Sequence, residues 1–158
     1  MDPNAALRKE LDRVLSGKGA HADFESAIAN LPPNLRGVRP QGSPHSAWEL
    51  LEHIRIAQWD MLEFSRDAQH TSPDWPGGYW PESPAPPSPD AWDKSVESCR
   101  RQLAEMRKLI SDPHSDLFTP FAHGDGQNLL REALQIADHN AYHVGEIVLL
   151  RRLLGAWK

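Results

Sequence analysis

Apolar residues recur at helical spacing through every long segment of this 158-residue chain, and no segment alternates apolar and polar residues as a half-buried strand does. Prolines and glycines cluster between those segments and so divide the chain into helices. A first helix is expected from about Asn4 to Leu15, with Leu7, Leu11, Val14 and Leu15 on one side and Gly17-Lys18-Gly19 as its stop. A short piece follows over about His21 to Leu31, where Phe24, Ala27, Ile28 and Leu31 keep the helical pattern up to Pro32-Pro33. Ser46 stands three residues before Glu49, the reciprocal pattern that satisfies two orphan backbone N–H groups, and the helix it opens runs to about Ala68. Ser88-Pro89-Asp90 reads as an N-cap with proline at the first helical position, opening a helix to about Ile110. The last helix is expected from near Asp125 to Gln127 as far as about Leu154, with Gly155 beyond it. The outcome is an all-α chain, a four-helix bundle with one short extra helix, in a single domain over residues 1–158.

The stretch from His70 to Ser88 is too long and too proline-rich to be a simple connection, and its Trp75, Tyr79 and Trp80 argue that it is ordered. Those aromatics either pack on a substrate or cap the end of the bundle, and capping is the simpler reading. Trp48, Trp59 and Trp92 fall inside helices and read as core or interface residues. The formal charge of -5 argues against binding to nucleic-acid phosphates, which takes a basic surface. No apolar run reaches the roughly 20 residues that span a bilayer. Met1, Asp2, Pro3 and Asn4 lack a basic region leading into an apolar stretch, so no secretory leader is expected. Cys99 is the only cysteine, so no intrachain disulfide forms and a reducing, cytoplasmic setting is expected.

Of the eight histidines, His139 and His143 stand out, at i and i+4 in the last helix. At about 100° per residue the second lies about 40° around and about 6 Å along from the first, so both imidazoles reach one ion from one face. Glu132, Ile136, Ile147 and Leu150 share that face, and Glu146 falls nearly between the pair one turn on. The histidines therefore lie in a largely apolar stripe that a bundle buries. Two unpartnered imidazoles are costly there, and a metal removes the cost by taking both lone pairs. The bland alternative is a pair of hydrogen-bonded core histidines. Asn140, Ala141 and Tyr142 follow His139, so the glutamate of the zinc-protease motif is absent. Glu49 and Glu52 lack the spacing to His53 that a ferritin-type site needs.

His53 is the remaining histidine inside a long helix, between Leu50, Leu51 and Ile54 and flanked by Glu49 and Glu52, and on its own it reads as a satisfied core histidine. His21, His45, His70, His114 and His123 read as surface polar residues in loops or near helix ends. Three imidazoles hold a divalent ion and leave positions for water or substrate, and they suit zinc, nickel, copper or iron. Glu146 and Asp60 are candidates by helical position for a base near the ion or for partners that orient the imidazoles. The alternative for both is an ordinary charge on a solvated face. Cys99 reads as a buried small hydrophobe rather than a nucleophile, and Arg151 and Arg152 suit the dipole at the end of the last helix.

Three segments, Ser46-Ala47-Trp48-Glu49-Leu50-Leu51-Glu52-His53-Ile54, His139-Asn140-Ala141-Tyr142-His143-Val144-Gly145-Glu146-Ile147 and Leu149-Leu150-Arg151-Arg152-Leu153-Leu154-Gly155, resemble the DinB-like superfamily of damage-inducible four-helix-bundle proteins. That superfamily is unrelated to the DNA polymerase of the same name. The resemblance implies an up-down-down-up bundle and a divalent metal, usually nickel or zinc. One histidine of the second long helix and the His-x-x-x-His pair of the fourth would hold it, at the positions of His53, His139 and His143. It also implies a homodimer and a small-molecule substrate. Similar proteins include thiol-dependent S-transferases, a mycothiol-dependent isomerase and proteins described as metal-dependent hydrolases. A low-molecular-weight thiol is then the expected co-substrate. The rival expectation is a non-enzymatic stress-response binding module with a structural metal. A plain bundle without metal would give the three histidines unrelated environments.

Overall fold

The structure, a computed structural model, describes residues 3–157. Met1 and Asp2, on which the reading of the N-terminus drew, lie outside the described residues. Five helices follow in order: α1 (Pro3–Leu15), α2 (Phe24–Ile28), α3 (Ala47–Arg66), α4 (Ala91–Ser111) and α5 (Leu129–Leu153). Single 3-10 turns stand at Pro33–Leu35 and Gly77–Tyr79, and no strand occurs among the described residues.

Side-chain pairs fix the helix directions. Arg8 donates to the Ile110 and Ser115 carbonyls while Arg107 pairs with Asp12, so α1 and α4 run antiparallel. Glu52 meets Ser95, Gln58 meets Cys99 and Gln102, and Arg66 meets Glu105, so α3 and α4 run parallel. The start of α3 packs with the end of α5 in one core cluster, and Leu62 packs with Leu129, Ala133 and Ile136 in another, so α3 and α5 are antiparallel. The bundle is therefore up-down-down-up, with α2 as the short extra helix.

The expected helices form, with shifted ends. Ser46 caps α3 as expected: its side chain accepts from Glu49 N–H, and the Glu49 carboxylate accepts from Ser46 N–H. The α4 start differs. Asp90, not Ser88, is the N-cap, and the exposed Ser88 is engaged with the turn instead, its hydroxyl donating to Asp90 at 2.6 Å and its carbonyl accepting from Ala91. The last helix opens later than expected, at Leu129, where the Asn128 side chain accepts from Arg131 N–H. Between His21 and Leu31 only Phe24–Ile28 is helical, capped by Asp23 and ended before Asn30, whose φ is 56°.

Two apolar clusters fill the bundle, one around Leu50, Ile54 and Ile147 and one around Leu62, Ile136 and Met106. Between them a polar layer crosses the core. On one side Gln58 donates to the Cys99 carbonyl and to Gln102, and its own oxygen accepts from Asn140. On the other side lie the histidines.

Candidate metal centre

His53 from α3 and His139 and His143 from α5 come together, with potential ligand atoms all within 4.8 Å of one another. The antiparallel α3–α5 pairing sets this up, because it brings the middle of α3 against the middle of α5. His53 and His139 face each other through their Nε2 atoms at 3.1 Å. The rings of His53 and His143 stand edge to face, with centroids 4.6 Å apart.

The partners of the outer nitrogens fix which atoms point inward. His53 Nδ1 lies 2.9 Å from the Tyr79 carbonyl, which only accepts, so Nδ1 carries the proton and Nε2 a lone pair. His143 Nδ1 lies 2.5 Å from the Glu146 carboxylate, which likewise leaves Nε2 as the free nitrogen. His139 is left without a satisfying geometry for Nδ1, which is buried. At the inward nitrogens His53 and His143 thus present lone pairs, with at most the one proton of His139 Nε2 to share between them. That donor set fits a divalent cation.

Electrostatics point the same way. Burial holds His139 and His143 down at about 4, reinforced by the neighbouring imidazoles, and lowers His53 as well. The cluster is therefore neutral at pH 7, the protonation state a metal ligand needs.

The two candidate carboxylates fall in different places. Glu146 sits against His143, and burial pushes its carboxyl up. Asp60 does not reach the histidine cluster. It accepts from Tyr79 Oη at 2.6 Å and from His70 Nε2 at 2.7 Å, and so ties the long loop to α3. Because the Tyr79 carbonyl orients His53, Asp60 acts on the centre through the loop. Glu132, on the same stripe of α5, is buried, and desolvation raises its carboxyl.

Two histidines read as surface residues are not. His70 is half-buried on Asp60 and edge-on to Trp59. His45 stacks on Trp80 with ring centroids 4.0 Å apart, and Trp80 stacks on His53 at the same separation. The aromatic loop therefore covers the histidine cluster through Trp80 rather than merely capping the bundle end, while Trp75 stays exposed. The only signal of this in the sequence was the aromatic content of the loop. Arg151, assigned to the helix dipole, is buried and donates to the Ser26, Ala27 and Ala156 carbonyls, fastening α2 to the end of α5. Cys99 is buried, which pushes its thiol up to about 12.

Fold and centre together define a helical-bundle protein with a buried three-histidine cluster compatible with metal binding. The profile of the DinB superfamily matches residues 18–147, and the chain belongs to that superfamily. No curated protein and no solved structure matches the chain significantly. No helix among the described residues is long and apolar enough to cross a membrane.

Proposed function

We propose that this chain is a cytoplasmic, homodimeric metalloenzyme that holds one divalent ion, nickel or zinc, on His53, His139 and His143. It acts on a small-molecule substrate, as a thiol S-transferase or a hydrolase, and not on nucleic acid. The observation that carries the reading is the convergence of three imidazoles whose outer nitrogens are held by Tyr79 and Glu146. An ion held by these three histidines would supply Lewis acidity, which lowers the pKa of a bound thiol or water toward neutrality. The thiol comes from a low-molecular-weight co-substrate, because Cys99 is buried and its thiol is pushed far above neutrality.

The chain's own groups have separate tasks. Tyr79 and Glu146 orient imidazoles, Asp60 holds the Tyr79 loop in place, and Trp80 walls the centre and limits water around His53. Glu146 is the group placed to hold a proton beside the centre. The rival, a binding module with a structural metal, would use Glu146 to close the coordination. Its contact with the outer nitrogen of His143 supports the open, reactive reading instead.

Metal analysis of the untagged native protein beside a His53→Ala/His139→Ala/His143→Ala variant tests the site. About one ion per chain is expected in the native protein and none in the variant. A metal-free native protein, after incubation with nickel and zinc, would overturn the reading. Loaded protein is then assayed with small thiols and electrophiles. Loaded protein inert across that screen would favour the structural-metal module.

A further inference from the structure

The outer face of α5 is unusually apolar for an exposed surface. Of the eight large hydrophobic side chains exposed among the described residues, four lie on this helix: Leu134, Tyr142, Leu149 and Leu153. In their midst is Gly145, exposed and in the helix interior, where glycine is the least favourable residue apart from proline. Nothing within the chain calls for it. Its φ is not positive, and a Cβ built there meets nothing within 4 Å. A glycine kept where the fold has room for any side chain is explained by a close approach from outside.

Charges identify what approaches. Asp138 stands seven residues before Gly145 and Arg152 seven after it. Seven residues are about two turns, so the three positions lie within about 20° of one line along the helix. Both positions are exposed, and among the described residues neither side chain has a hydrogen-bond or ion-pair partner. An antiparallel copy of α5 related by a twofold axis at Gly145 sets each Asp138 opposite an Arg152, twice over. That is the self-complementarity an isologous contact requires.

We propose that the outer face of α5 docks a second copy of this chain, antiparallel and centred on Gly145, with Asp138 of each chain facing the partner's Arg152. Tyr142 and Leu149 flank the glycine and supply the apolar contact. This rests on the homodimer in the functional reading and not on the metal, so metal analysis and the measurements below fail independently.

Sedimentation of the full chain, alone and as variants, tests the face. Native protein is expected at twice the 17.8 kDa chain mass. Gly145→Trp is expected at the chain mass with undiminished helical circular dichroism, since position 145 is exposed and a Cβ there meets nothing within 4 Å. Asp138→Arg alone puts two pairs of like charges in contact and weakens association by at least about ten-fold. Asp138→Arg/Arg152→Asp restores it. A monomeric native protein at its highest soluble concentration would overturn both the dimer and the face. A native dimer that both single substitutions leave intact would overturn the face alone, placing the contact elsewhere.

Discussion

Tyr79 and Glu146 turn the histidines by different means. Tyr79 gives His53 a backbone carbonyl, which no side-chain substitution removes, while Glu146 gives His143 a carboxylate that can be deleted. Glu146→Ala is expected to weaken metal binding by about 10–100-fold, the usual effect of losing an imidazole's outer partner. Competition with a chromophoric chelator measures it, and an unchanged affinity would make Glu146 a bystander. At this scale the sequence was legible where one helix carries the information. His139 and His143 share a face by periodicity alone, and Glu146 follows from the same wheel. Asp60 was expected, by helical position, to serve as a base near the ion or to orient an imidazole, and it contacts no cluster histidine. Its role differs because Tyr79 and His70, brought in by a loop, take both of its oxygens. The place of His45 was not legible, since its contact with Trp80 depends on two loops closing over α3.

The best-read element is α3. Its start is written as a reciprocal side-chain and backbone pattern, so Ser46 and Glu49 locate it in sequence. The structure adds that Ser46 Oγ also donates to the Pro84 carbonyl at 2.5 Å, linking the helix start to the long loop. Ser46→Ala removes the cap and that link together. The expected cost is about 1–3 kcal/mol, read from the urea midpoint. A change below about 0.5 kcal/mol would mean that neither bond contributes. The start of α4 was harder to read because Ser88, Pro89 and Asp90 offer two competing caps, and the choice rests on a hydroxyl–carboxylate contact between them. Asp60 supplies a second test of how loop and helix are coupled. Asp60→Ala leaves His70 and Tyr79 without their partner. It should cost about 2–3 kcal/mol and also lower metal affinity, although Asp60 touches no member of the cluster. Loss of stability with metal affinity intact would show that the loop does not hold His53.

Across the whole molecule the bundle is two apolar clusters separated by one polar layer, and the two halves of that layer differ in kind. The Gln58–Asn140–Gln102 half is joined by direct amide hydrogen bonds, with Asn140 Oδ1 left over, whereas the histidine half turns imidazole lone pairs toward one point. Helix count and the buried stripe of α5 were legible from periodicity. The helix directions came from the family resemblance, because periodicity does not say which helices run parallel. The histidine half makes stability depend on pH. Burial lowers the folded pKa of His139 and His143 to about 4 and lowers that of His53, against an ordinary value of 6.5. Between pH 6.5 and about 4 the unfolded chain therefore binds more protons than the metal-free folded one, so stability falls as pH falls. The slope approaches about 1.4 kcal/mol per pH unit for each imidazole. Glu132 and Glu146, whose carboxyls burial raises, act in the opposite sense. Both remain in the triple alanine variant, so the difference between native and variant isolates the histidines. Urea midpoints of the two metal-free proteins, taken from neutral pH down to about 5, should converge as pH falls. Curves that stay parallel would mean that the cluster accepts protons as readily folded as unfolded, and that burial does not keep these imidazoles neutral for an ion.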